Sequence, residues 1–524
     1  MKTYKLLIIV IEFALMGLSA QGQIMFQKIY GDIGNDIGNS VIQTTDGGYI
    51  IGGYSNIYLD SFGPSSKYLL VKADSLGNMQ WLNTYGAIDS SSNVAASVLQ
   101  TNDGGYIISG YYFDGFNFDI YIIRLNSNGD TLWSKNLGSN DWSPLPTIQK
   151  TDDGGYMIFG NDDDYDHMFY STFIEKLDSM GNVLWGEQIQ DNNLTQSAIG
   201  GQQTSDGGYI ITGGPALVKT DSLGNLLWNY GYDGTGNDIV NSVQQTMDKG
   251  FIIGGYTTSF GAGEYDIWLI KTDSVGTLQW SKTYGGSKND YSYSVKQTND
   301  GGYIIAGNTY SFSDTVNGDA YLIKTDGNGN MQWSKTYGGF GIDKAKSVQQ
   351  TTNGGYIING STNSFGSSSR IYLIKTDAYG NSDCNQNNPA TIVTASNPIS
   401  SSDIYLSSFP LVRSESVVNT ASNHGGIDST ICLTQTGIKE ISTSSSLLLS
   451  PNPFTTTTTL TLQGTCHNPS LFIYNLLGQE VRSIPIGTNT QLTINREHLA
   501  SGMYFYKVID ENKEVLGIGK MVIE

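Results

Sequence analysis

Two short runs hold the residue types best suited to chemistry. Tyr111-Tyr112-Phe113-Asp114-Gly115-Phe116-Asn117-Phe118-Asp119 is aromatic and acidic, and Asp162-Asp163-Asp164-Tyr165-Asp166-His167-Met168-Phe169-Tyr170 is acidic and then aromatic. Aromatic faces stack on apolar faces of a ligand while carboxylates accept its hydroxyl protons. This combination suits a sugar. Two carboxylates roughly 5–9 Å apart would also suit glycoside hydrolysis. The plain alternative is that the aromatics pack their own loops and the acids are solvated. Tyr111, Tyr112, Phe116, Asp163, Asp164, Tyr165 and Asp166 are therefore candidate ligand-binding residues, and no residue is assigned a catalytic role.

The rest of the chain offers little chemistry. Its four histidines are His167, His424, His467 and His498. Only His167 falls among the repeats described below, so no multi-histidine metal site is expected there. No nucleophile elbow or phosphate loop stands at a strand–helix junction, and neither a metal nor a cofactor is expected. Asp326-Gly327-Asn328-Gly329-Asn330 is similar to the start of a calcium loop but lacks the downstream bidentate Glu. The three cysteines, Cys384, Cys432 and Cys466, form no CxxC pair, which argues against zinc. Cys384 and Cys432 flank one linker and could pair in an oxidising compartment. Three free thiols are the alternative.

The elements that must position these residues are repeated. Asp-Gly-Gly-Tyr followed by an apolar run occurs at Asp46, Asp103, Asp153, Asp206 and Asp300, with variants Asp248-Lys249-Gly250-Phe251 and Asn353-Gly354-Gly355-Tyr356. Successive aromatics are 57, 50, 53, 42, 52 and 53 residues apart. A period near 50 implies a solenoid, propeller or array. A second phrase, an apolar strand ending in a cation, then a turn and a Trp, places Trp81, Trp133, Trp185, Trp228, Trp280 and Trp333 equivalently. Each Trp precedes the next repeat's aromatic by 23–25 residues, whereas the aromatic-to-Trp spacing runs from 19 to 32. All length variation therefore falls in one loop per repeat, and these loops should share one face. The two acidic and aromatic runs are such loops, and Gly213-Gly214-Pro215 leaves the fourth repeat almost without one.

Asp-Gly between β-like runs predicts a hairpin with a primed turn, and two hairpins give four strands per repeat. Apolar runs such as Tyr321-Leu322-Ile323 do not alternate with polar residues, so both faces should be buried, as in face-to-face blades. The seventh copy stops at Cys384 with no Trp strand. Phe26-Gln27-Lys28-Ile29-Tyr30-Gly31 matches Trp280-Ser281-Lys282-Thr283-Tyr284-Gly285 position for position. This predicts an all-β fold: a seven-bladed β-propeller over 23–384 closed by its N-terminal strand. The Gly-x-x-x-Trp phrase resembles the propeller repeats of quinoprotein dehydrogenases and their non-catalytic outer-membrane assembly relatives. That resemblance implies a fold, not a cofactor.

The ends of the chain bear on location. Lys2 and Lys5 precede an apolar stretch over 6–18 and small residues follow, so residues 1–22 read as a secretory signal. No segment is long enough for a transmembrane span. With a net charge of −20, a nucleic-acid partner is not expected. Residues 385–445, rich in Ser, Thr and Asn, read as a linker. Residues 446–524 read as a small β-sandwich. There, Pro451-Asn452-Pro453-Phe454, Tyr474-Asn475 with Gly478-Gln479, Ala500-Ser501-Gly502-Met503-Tyr504 and the Lys520-to-Ile523 end stand in the order of the type A C-terminal sorting domain of type IX secretion, which the segment resembles. The resemblance implies Pro451, Asn452, Pro453, Gly478, Gly502, Tyr504 and Lys520 as sorting-motif residues. It also implies the type IX machinery as partner, and release or surface attachment outside the outer membrane of a Gram-negative bacterium. The leading expectation is an exported binding or adhesion module for a glycan or surface protein. The alternatives are a secreted polysaccharide-degrading glycoside hydrolase and a structural surface protein.

Overall fold

A computed structural model describes residues 23–524 except 33, 60–62, 87–91, 114–117, 139–145, 165–168, 192–199, 314–315, 383, 402–405, 411–421, 424–425, 437–446, 463–467, 476–479, 488–489 and 512–514. The signal expected at 1–22 lies outside the described residues. The described chain is all-β, with no helix, and divides into compact units at 1–436 and 437–524.

In the first unit each repeat is a four-stranded antiparallel meander. The sixth consists of Asp290–Gln297, Tyr303–Thr309, Asp319–Thr325 and Met331–Tyr337. Every residue of its second and third strands is buried, as the unbroken apolar runs require. The seventh repeat has Asp343–Gln350, Tyr356–Thr362 and Arg370–Thr376, and its fourth strand is the N-terminal Gln23–Gly31. Phe26 lies opposite Lys375 there, as Trp280 lies opposite Lys271 and Trp333 opposite Lys324. The split repeat is thus completed from the far end of the unit.

The hairpin turn differs from the one expected. A two-residue primed turn would place both central residues at positive φ. Instead Gly47 N donates to Thr44 O and Thr44 N to Gly48 O, with Gly47 at φ +82° and Asp46 outside the left-handed region. The Asp46 carboxylate accepts from Gly48 N and Thr44 Oγ1, so the side chain, rather than a mirror-image backbone, holds the turn. The same Asp pairs with the cation that ends the third strand. Lys72–Asp46, Arg124–Asp103, Lys176–Asp153, Lys219–Asp206, Lys271–Asp248 and Lys324–Asp300 are all ion pairs with a buried cation. Hydrogen bonds from Thr101 and Arg124 hold the Asp103 carboxyl down at about 2. In the seventh repeat Asn353 takes the place of the acid.

Neighbouring repeats are joined through the turn glycine. A Cβ on Gly329 would meet the Trp280 ring at 2.7–2.8 Å, and φ there is +71°. Both facts require Gly. Tyr284 Oη also donates to Gly329 O at 2.6 Å. Equivalent Trp–Gly contacts link Trp81 to Gly129, Trp133 to Gly181, Trp185 to Gly224, Trp228 to Gly276 and Trp333 to Gly380. Phe26 of the seventh repeat touches Gly77 of the first. The first strands follow the same order, each packing on the next, and Asp343–Gln350 packs on Asn35–Gln43.

Residues 386–436 do not form the linker expected from their composition. They run back past the repeats and add a fifth antiparallel strand to six fourth strands. Gln386–Asn387 pairs with the sixth repeat, Ile392–Ala395 with the fifth, Ile399–Ser401 with the fourth and Leu406–Pro410 with the third. Ser422–Asn423 then pairs with the first, and Ile427–Thr436 with Gln23–Gly31. A disulfide joins Cys384 to Cys432, with Cα atoms 6.4 Å apart. The strap covers outer strands whose N–H and C=O groups would otherwise be open to pairing with another chain.

The second unit has a three-stranded and a four-stranded sheet around a core that includes Phe454, Leu460, Ile473, Tyr506 and Met521.

Candidate functional site

Two sets of side chains run along the first strands of the first unit. The outer set is the Gln that precedes each Thr-x-Asp turn. Gln43, Gln100, Gln203, Gln245, Gln297 and Gln350 accept from a backbone N–H of the preceding repeat's turn. Lys150 substitutes in the third repeat by donating to Asn102 Oδ1 at 2.9 Å. Gln43 reaches Thr352, so the series runs from the first repeat back to the seventh. Gln-Thr-x-Asp-Gly-Gly is visible in the sequence, but its partner lies one repeat away and no local rule reveals it.

The inner set lines a cavity of about 430 Å³, bounded by residues from the first strand of every repeat. Gln202, Gln244 and Gln349 use their Oε1 to accept from Gln245, Gln297 and Gln43 N–H at 2.9, 2.6 and 2.8 Å. Lys296 holds the equivalent place in the sixth repeat, and Ile42 and Leu99 hold it in the first two. Burial pushes the Lys296 ammonium down from its ordinary value.

The end of the first strands away from the Asp-Gly-Gly turns carries an aromatic cluster that sequence reading missed. Tyr256, Tyr265 and Tyr291 lie with ring centroids 4.9–5.5 Å apart, and Tyr310 is 6.4 Å from Tyr291. All four are partly exposed. Burial, with the neighbouring Tyr291 and Tyr265, pushes the Tyr256 hydroxyl up to about 12, so it stays a neutral donor and acceptor at pH 7. Beside them Lys346 Nζ stands 3.4 Å from the Tyr293 ring centroid. Burial holds that ammonium down at about 8. Tyr293 and Lys346 are the extra residues of first-strand bulges, which aim side chains out of the regular ladder. The available signal was positional. Tyr256 shares its place after the second strand's Gly with Tyr54 and Tyr111, where other repeats have Asn161, Gly214, Asn308 and Ser361.

The residues expected to bind ligand are distributed as follows. Tyr111 and Tyr112 lie in Tyr106–Phe113 of the second repeat. Tyr111 packs edge-on to Phe118 at 5.3 Å and Tyr112 stands 6.2 Å from Tyr121, so both rings are committed in part to their own hairpin. Burial pushes the Tyr111 hydroxyl up to about 12. Asp163 and Asp164 end the second strand of the third repeat, opposite Tyr170 and Phe169. Phe116, Tyr165 and Asp166 lie outside the described residues. Asp326 spends its carboxylate on Asn328 N, Asn330 N and Asn330 Nδ2, all within its own turn.

In the second unit, fold contacts join several sorting-motif residues. Asn452 Nδ2 donates to Lys520 O at 2.7 Å and Asn452 Oδ1 accepts from Val522 N at 2.8 Å. Pro451 O accepts from Thr458 Oγ1, and Pro453 leads directly into Phe454, whose N–H donates to Val522 O. Gly502 pairs with Ile523 and Tyr504 Oη donates to Ala500 O at 3.0 Å. Gly478 lies outside the described residues.

This second unit defines the class of the protein: an exported chain carrying its own sorting module. Residues 449–524 match the secretion system C-terminal sorting domain family. The chain is therefore delivered by the type IX system, with which this domain interacts, to the cell surface or the extracellular space. No helix among the described residues is long and apolar enough to cross a membrane. A relative, regulatory protein FlaEY of Caulobacter vibrioides, is 28% identical over 148 residues, 25% of this chain and 15% of that protein. The chain thus spans less than a sixth of that relative's length. Among solved structures, polysaccharide lyase Uly1 shares 11% identity over 65% of this chain and 90% of its own, with a TM-score of 0.40. Penicillium chrysogenum α-L-arabinanase complexed with arabinobiose shares 8% over 68% and 98%, at 0.36. The extracellular domain of a putative hybrid two-component system from B. thetaiotaomicron shares 11% over 94% and 56%, also at 0.36. The resemblance to quinoprotein repeats finds no support among these.

Proposed function

We propose that residues 23–436 form a closed seven-bladed β-propeller whose variable-loop face binds a glycan or protein at the cell surface, without catalysing a reaction on it. Closure is supported by three series that each return from the seventh repeat to the first: first-strand packing, the Gln43-to-Thr352 bond and the Phe26–Gly77 contact. In such a ring the loops between second and third strands all emerge on one face. The observation that carries recognition is the partly exposed cluster Tyr256, Tyr265, Tyr291 and Tyr310 on that face. Edge-on and tilted rings that are partly exposed suit sugar rings or an apolar protein side chain, and burial keeps the Tyr256 and Tyr291 hydroxyls neutral hydrogen-bonding groups. Tyr111 and Tyr112 extend the same kind of surface in the second blade.

The test is an array of glycans and surface proteins probed with the full chain and with Tyr291→Ala and Tyr112→Ala. The expected result is a ligand whose binding weakens by about tenfold or more in the Tyr291 variant, from loss of an aromatic anchor. Binding that both variants retain in full would remove this face from the account.

A further inference from the structure

We propose that the central cavity is a binding site for a small oxyanion, a carboxylate or a phosphate group, held by Lys296 and by the side-chain amides of Gln202, Gln244 and Gln349. Each of the three glutamines commits its Oε1 to a backbone N–H of the next repeat. The end left over is therefore the NH₂ group, which only donates. Lys296 adds three more donors and a positive charge. Among the described residues neither Lys296 nor those three amide nitrogens has a hydrogen-bond acceptor, and Lys296 is the sole charged residue lining the cavity.

The contrast with the outer glutamines is internal to the protein. Gln43, Gln203 and Gln297 satisfy both ends, donating to their own turn carbonyls while accepting from the neighbouring turn. In the fourth to seventh repeats the inner positions present donors without acceptors of their own, and the third repeat adds the Gln149 amide to the lining. A half-buried ammonium without a counter-charge is costly, and its desolvation lowers its proton affinity accordingly. A bound anion reverses that cost and gains charge-assisted hydrogen bonds. Ile42 and Leu99 add apolar surface to the lining, which suits a ligand with an anionic head and a less polar body. The volume of about 430 Å³ lies within the range of small-molecule sites. This site lies within the channel and does not depend on what the tyrosine cluster binds.

The experiment is calorimetric titration of the full chain with sodium glucuronate and, separately, inorganic phosphate. Wild type is expected to bind at least one of them with 1:1 stoichiometry. Preference for glucuronate would identify the head group as a carboxylate, and preference for phosphate would identify a phosphoryl group. Lys296→Met should weaken binding about tenfold or more. Its melting temperature without ligand should equal or exceed that of wild type, because an unpaired, partly desolvated charge is gone. Gln244→Glu keeps the acceptor for Gln297 N–H but replaces the donor with negative charge, and should weaken binding at least as much. No saturable binding of either anion to wild type, or full binding by both folded variants, would overturn the site.

Discussion

At the residue scale, two positions separate packing from charge. Trp280 lies against Gly329 of the following repeat and at a tilt to Tyr303, 5.9 Å between centroids. Trp280→Ala should cost about 3–5 kcal/mol by core-truncation precedent, read by denaturant unfolding. An unchanged midpoint would remove the indole as a joint between blades. Asn353 tests the ion pair. The buried Lys375 has Thr351, Asn353 and a backbone carbonyl as partners but no carboxylate, and burial holds it down at about 8 against an ordinary 10.5. Between those two values the unfolded chain holds the extra proton, so wild-type stability rises with pH across that window. Asn353→Asp supplies the acid present in the other six repeats and should remove that rise. Its melting temperature should exceed wild type at pH 7, and the gap should close as pH climbs from 8 toward 10.5. A pH-independent gap would mean that Lys375 is not held neutral.

At the scale of elements, the strap is the part sequence reading missed. The second and third strands of each repeat were legible because they bury both faces and so read as unbroken apolar runs. The Trp strand at Phe26 was legible because six other copies exist for comparison. The strap has neither signal. It lies on an outer edge, and Ile399 and Leu433 remain 72% and 55% exposed. Its Ser, Thr and Asn content satisfies pairing on one side and solvent on the other, which in composition looks like a linker. The Tyr256 cluster was illegible for another reason: its members come from two repeats and meet only when the sheets pack. The disulfide between Cys384 and Cys432 ties the start of the strap to the strand that covers Gln23–Gly31. Replacing both with Ser should lower stability by about 2–4 kcal/mol and expose residues 386–436 to protease before the blades are cut. Blades and strap digesting together at the wild-type rate would contradict that role.

At the scale of the whole molecule, an addressed export module is joined to a repeat unit for which recognition outside the cell is the proposed function. The sorting unit was legible from its motifs, since Asn452 and Lys520 are distant in sequence yet hydrogen-bonded in the fold. Recognition was legible only as a preference for the variable loops, because a repeat hides its function wherever its copies agree. The most direct measurement incubates the full chain with a panel of soluble and insoluble polysaccharides and assays bound protein and released sugar in the same tubes. The account predicts bound protein with no released oligosaccharide, and binding reduced in Tyr291→Ala. Released oligosaccharide would contradict it and would direct attention to the acids of the run 162–166, for instance Asp163 or Asp166.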